Sequence, residues 1–308
     1  MKQQSLLRPR TKKRWQSLCT VSALLILLCA NPTQACGELP ANKIRRIVRH
    51  KKADIGIALR YKDQAFALAD TPVYPLMSVF KVHVAMAALH KMEHVHIALD
   101  DSVTVGPEYW HPDTYSPMRD QAPNIATRHT TYRELLTYTV SHSDNNTCDF
   151  LIDFAGGIDR VDAYIRSLGI DAFQLTETEK TMHEDILNCY DNRSSPLAVV
   201  QLLEKLYTEP LLTAEHFRFL EHLLLTCSTG QNKLKAGLPP HIPLAHKTGH
   251  SDRTAEGVMI GDTDVGVIYL PNGERCYLAV LVKDSREHEA THARIMARVA
   301  RIIYRSLR

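Results

Sequence analysis

The chain has no apolar run long enough to cross a membrane: its longest, Leu18 to Ala30, falls short of the roughly 20 residues a helical span needs. No internal repeat or low-complexity stretch stands out. The cysteine spacings match no zinc motif. His90 and His94 stand one helical turn apart, but without an intervening glutamate or a third ligand nearby they read as a solvated helix end. No metal and no other cofactor is expected.

A surplus of positive charge is missing too, once the first 35 residues are set aside. They hold six basic side chains (Lys2, Arg8, Arg10, Lys12, Lys13, Arg14) and no acidic ones, so the 37 basic residues of the chain fall to 31 against 34 acidic, a net of −3 with histidine neutral. A chain so balanced carries no basic patch that would argue for nucleic acid. The basic section, the apolar run and the closing Thr33, Gln34, Ala35 follow the order of a secretory signal, so residues 1–35 are expected to direct export to the periplasm. Cys36 follows directly and is a candidate lipidated N-terminus of a membrane-anchored lipoprotein, although Thr33 poorly matches the aliphatic residue usual in such signals. Cys148, Cys189, Cys227 and Cys276 could pair in an oxidising compartment; buried unpaired thiols are the plainer reading.

What is present is an ordinary globular composition, 44% hydrophobic and 23% charged over 308 residues. Ile44, Ile47 and Val48 among basic residues predict a surface helix over 42–52. Strands 54–61 and 64–69 form a hairpin, and short strands follow at 257–260, 266–270 and 276–282, the last two joined by Pro271-Asn272-Gly273. Between the two strand regions the pattern is mostly helical: after a helix opening near Ser78 come 132–140, 145–154, 161–168, 196–207 and 214–226. A long amphipathic helix over 287–307 closes the chain. The fold class is therefore α/β (α+β) with two lobes. Residues 36–80 and 240–308 would form an antiparallel sheet flanked by terminal helices, and 81–239 a helical lobe, with the binding cleft between them.

Three short polar motifs carry the chemistry. Ser78 and Lys81 stand three apart at the start of an apolar helix, so the amine can reach the hydroxyl: a nucleophile beside a base. Ser143, Asp144 and Asn145 lie in a helix-to-helix loop, where an N-cap is the bland alternative. Lys247, Thr248 and Gly249 stand where the strands resume, and their bland reading is a strand entering a turn with glycine supplying backbone latitude.

Ser-x-x-Lys, Ser-Asp-Asn and Lys-Thr-Gly in this order resemble the set of the class A serine β-lactamases. The likeness covers essentially the whole chain after residue 35. Thr229, Gly230, Lys233, Leu234, Gly237, Leu238, Pro239 and the stretch Val280 to Ser285 are most similar to the PER- and CfxA-like branch. The resemblance implies hydrolysis of penicillins, and of cephalosporins given Thr248 in place of serine and the variant loop. The route would be a serine acyl-enzyme, in a monomer acting on small molecules.

It also implies roles. Ser78 is the nucleophile, Lys81 or Glu179 its base, Ser143 the proton carrier to the lactam nitrogen, and Asn145 a partner of Lys81 and of the substrate amide. Lys247, Thr248 and Gly249 flank the substrate carboxylate, with Arg253 as a candidate helper. The backbone N–H groups of Ser78 and His250 would hold the oxyanion. Tyr115 is a candidate cleft wall. For the carboxylate that activates the hydrolytic water, Glu179 stands 36 residues after Ser143 and 68 before Lys247, the intervals the family requires. Glu184, with Leu187 and Asn188, imitates the usual Glu-x-x-Leu-Asn signature but comes five residues late, and is expected to be a solvent-exposed acid. His183 then stands where commoner members have asparagine. The alternative readings are a penicillin-binding D,D-peptidase and a non-hydrolysing β-lactam sensor, which share the acylation step.

Overall fold

The computed structural model describes residues 39–122 and 126–308; residues 1–35, expected to be a secretory signal, and Cys36 lie outside them. The described residues pack as one compact unit. In chain order the elements are α1 (Ala41–Val48), β1 (Asp54–Tyr61), β2 (Gln64–Leu68), β3 (Tyr74–Pro75), α2 (Phe80–Val95), β4 (Ser102–Val105), α3 (Pro117–Asp120), β5 (Arg128–Thr131), α4 (Tyr132–Ser141) and α5 (Asn145–Ala155). They continue with α6 (Ile158–Ser167), β6 (Phe173–Gln174), α7 (Glu179–Glu184), β7 (Arg193–Ser194), α8 (Pro196–Thr208), α9 (Ala214–Leu225), β8 (Leu244–His250), β9 (Met259–Tyr269), β10 (Arg275–Ser285) and α10 (Glu289–Leu307).

The two ends of the chain meet in a five-stranded antiparallel sheet of order β2-β1-β10-β9-β8. Successive side chains of a strand face opposite ways, and here both ways are buried. On β10, Tyr277, Ala279 and Leu281 join the core shared with α2, α4, α5, α8 and α9, while Leu278, Val280 and Val282 join a second core with α1 and α10. That is why Cys276 to Val282 reads as an unbroken apolar run. Helix α2 is buried all round from Phe80 to Leu89 and forms the axis of the helical layer.

Helix starts follow from side-chain caps. Thr131, Asp144, Thr178, Ser195 and Thr213 each accept a backbone N–H from the first turn of the helix they precede, and Gly156 at φ 107° ends α5.

Three expectations change. The strands predicted at 257–260 and 266–270 are one, β9, because Asp262, Thr263 and Asp264, which read as a polar break, are buried and hydrogen-bonded in mid-strand. The span 81–239 also contains the β4–β5 hairpin and two-residue strands. Within that span, α8 packs directly on β1 and β10, so the hydrophobic cores are divided by the sheet and not at a chain boundary.

Candidate active site

The three motifs converge on one cleft of about 630 Å³, lined among others by Ser78, Tyr115, Ser143, Asn145, Glu179, Thr248 and His250. Ser78 sits in a single 3₁₀ turn, Met77–Val79, that runs into α2. Met77 takes φ 47°, a left-handed conformation costly for its side chain, and so turns the next residue out toward the cleft. Strand β8 passes against this turn. A Cβ on Gly249 would lie 2.6 Å from Met77 Cβ and 2.8 Å from Leu76 O. Gly249 is thus present for close approach, not for the turn conformation its motif suggests, since it is not among the positive-φ glycines.

Lys81 is fully buried, and its Nζ makes three contacts: Ser78 Oγ at 2.7 Å, Asn145 Oδ1 at 2.7 Å, and Glu179 Oε1. An ammonium donates to all three; a neutral amine accepts from the Ser78 hydroxyl and donates to the other two. Ser78 and Glu179 are therefore two hydrogen bonds apart through one nitrogen. Asn145 donates its Nδ2 to Thr114 Oγ1 at 2.7 Å, which fixes the amide so that Oδ1 faces Lys81.

Asp144, between Ser143 and Asn145, points away from the cleft. It accepts from Ser116 Oγ, Met118 N and Thr147 N, and pins the loop from below. Ser143, at φ 62°, accepts from Lys247 Nζ at 2.8 Å. Lys247 is fully buried, and desolvation pushes its amine down to about 7, with nearby Lys81 adding to the fall. Thr248 shares a 2.5 Å hydrogen bond with Thr229.

Glu179 opens α7 at 8% exposure, whereas Glu184 is exposed and faces Lys180 at 3.8 Å. His183 is exposed on the cleft rim, as is Tyr115 at 56%.

Several site residues were not legible from the motifs. Asp149 on α5 accepts the backbone N–H groups of Glu179 and Lys180 at 2.8 and 2.9 Å. Burial, then the Glu179 charge, push its carboxyl up to about 7. Asn192 bridges Thr176 N, Glu177 N and Glu177 O, closing the loop that carries α7. An acid in the apolar face of α5 was the available signal for Asp149; nothing in sequence marked Asn192.

Lys233 lines the cleft and donates to Asp262 and to the carbonyls of Gly249 and Thr263. Burial would raise Asp262, but hydrogen bonds from His250 and His292 and the Lys233 charge outweigh it and hold the carboxyl well below its usual range. Arg253 does not serve the cleft. Its guanidinium is spent on the carbonyls of Gly257, Ser285 and Glu287, and Lys233 is the cation on that side.

The run His288-Glu289-Ala290-Thr291-His292 has the form of a zinc-protease motif. The ring of His292, however, is buried between Asp262 Oδ2 at 2.9 Å and Ser285 Oγ at 2.6 Å. Among the described residues no group of three His, Cys, Asp or Glu is placed to hold a metal ion. The four described cysteines are buried and unpaired.

A family model described as "Beta-lactamase enzyme family" matches residues 39–307. The chain belongs to this family. Among its relatives is a beta-lactamase of Bacteroides uniformis, 41% identical over 87% of this chain and 90% of the relative. The extended-spectrum beta-lactamase PER-1 of Pseudomonas aeruginosa is 33% identical over 94% of each. A crystal structure of a class A beta-lactamase representative from Bacteroides cellulosilyticus superposes with a TM-score of 0.84 at 42% identity, covering 88% of this chain and 99% of that one. These neighbours place this β-lactamase in class A, on the PER- and CfxA-like branch.

Proposed function

We propose that this class A β-lactamase hydrolyses penicillins and cephalosporins with Ser78 as nucleophile and Glu179 as the base of deacylation. The observation that carries the reading is the single Lys81 nitrogen in contact with Ser78, Asn145 and Glu179. Ser78 Oγ attacks the lactam carbonyl as its proton passes to Lys81, or to Glu179 through water; the C–N bond breaks, and the nitrogen takes a proton by way of Ser143. Lys247, lodged beneath Ser143, supplies positive charge, and Thr248 a hydroxyl, for the substrate carboxylate. In the second half Glu179 takes a proton from water, the water oxygen attacks the ester, and Ser78 departs with a proton restored.

The leader supports export to the periplasm, with Cys36 as the lipid anchor. Mass spectrometry and nitrocefin turnover test the central claim. The wild type should turn over without accumulating adduct, whereas Glu179→Ala should hold a stable acyl-enzyme. A burst without turnover in the wild type would instead assign the chain to the D,D-peptidase or sensor readings. A kcat/KM for cephalosporins far below that for penicillins would remove them from its range.

A further inference from the structure

Helices α1 and α10 cover the same face of the sheet and bury their apolar sides, Ile44 and Ile47 with Ile295, Val299 and Ile303, in the core beneath. Their outer sides are arginine. On α10 and at its C-terminal cap, Arg294, Arg298, Arg301, Arg305 and Arg308 recur at intervals of four, three, four and three, so they stack in one stripe opposite the buried side. All five are exposed, and the one acidic residue of the helix is Glu289 at its start. On α1, Arg45, Arg46 and Arg49 at its end are exposed, Arg45 lying over the edge of the core with its guanidinium 5.5 Å from the Phe66 ring centre, and the helix has no acid.

None of these eight arginines is ion-paired with a carboxylate of the described residues. The whole-chain balance conceals this face: the other 23 basic side chains of residues 36–308 are set against all 34 acidic ones. Like charges at successive i, i+3 and i, i+4 positions destabilise a helix, and here no acid on the stripe offsets them.

The geometry points to this arginine face as a docking surface for a bilayer of anionic phospholipid. Residues 36–308, of net charge −3, approach such a surface only by one segregated basic side, and guanidinium forks fit lipid phosphates. The position of the chain selects a bilayer over a soluble polyanion. Cys36 precedes Ala41 by five residues, at most about 17 Å of chain, so on the reading that Cys36 is lipidated, α1 is held at the headgroups. One acyl anchor binds only marginally and needs a basic patch as a second signal. None of the eight arginines lines the cleft, which stays open to substrate.

Sedimentation with vesicles tests the surface without any lipid anchor, using the chain from residue 37 onward, with nitrocefin turnover as the check that it is folded. Binding to phosphatidylglycerol-containing vesicles, absent with pure phosphatidylcholine and weakened by salt, is expected. Arg298→Glu with Arg305→Glu should lower partitioning by roughly tenfold or more and leave nitrocefin hydrolysis unchanged. A control pair elsewhere on the surface, Arg160→Glu with Arg218→Glu, should retain binding. No binding at low salt, equal binding to both vesicles, equal loss in both pairs, or capture by duplex DNA as tight as by the vesicles would each overturn the proposal. Failure here leaves turnover by Ser78 and Glu179 untouched, because nitrocefin reports that separately.

Discussion

Lys247 shows how burial tunes one group toward one task. Its amine, fully buried and pushed down to about 7, is in its charged form at lower pH and neutral above. A substrate carboxylate favours the charged form, so binding draws in a proton above about pH 7. KM for penicillins should therefore rise as pH increases from 7 to 9, and the rise should flatten in Lys247→Arg, whose charge does not titrate. For the folded state the sign is reversed. An amine with a lowered folded pKa destabilises fully below that pKa, where both states are protonated, and the penalty fades as pH rises toward the unfolded value, so this group's contribution to stability improves between about pH 7 and 10. The two candidate carboxylates separate at the same scale. Glu179 is buried on Lys81, while Glu184 is exposed and weakly paired with Lys180. Deacylation measured in single turnover should fall at least 100-fold in Glu179→Ala and stay within about twofold in Glu184→Ala.

At the scale of elements, the carboxylate proposed as the base of deacylation is only as well placed as α7, a helix of six residues too short to hold itself. Its first turn hangs on Asp149, which takes two N–H groups. Removing it in Asp149→Ala leaves both donors unsatisfied and frees the turn; a burst of acylation followed by turnover slowed about tenfold or more is the expected trace. The contact of β8 with the Ser78 turn is equally specific. In Gly249→Ala the new methyl meets Met77 and Thr263 at 2.6 Å. Overpacking of this kind costs about 2 kcal/mol, or about 5 °C in Tm for a domain of this size, and activity should fall with it. Glycine in the third motif was visible in sequence; its reason was not, because the turn it touches lies far away in the chain.

For the molecule as a whole, stability rests on two apolar layers either side of one sheet and on no covalent staple among the described residues. Cys148, Cys189, Cys227 and Cys276 are buried, and burial pushes the thiols of Cys148, Cys189 and Cys276 up, the last two to about 12. Thermal unfolding with and without dithiothreitol should give the same Tm within a degree, and turnover should survive a chelator. A reductant-sensitive Tm would mean that a pair forms which this structure does not contain.

The sequence by itself determined the family resemblance, and through it the proposed chemistry. Ser78, Lys81, Ser143, Asn145 and Lys247 were legible because each motif is local and demands particular side chains. The intervals on either side of Glu179 picked it out from Glu184. The alternation of strands and helices was legible for the same reason, since local propensity and patterning act over a few residues. Only the tertiary structure decided what holds these groups in place: Asp149 under α7, Asn192 across its loop, Asp262 on Lys233, and the continuity of β9 through three buried polar residues. These depend on partners tens to hundreds of residues apart. A buried charge is tolerable only beside its partner, and no local pattern records which distant residue that partner will be.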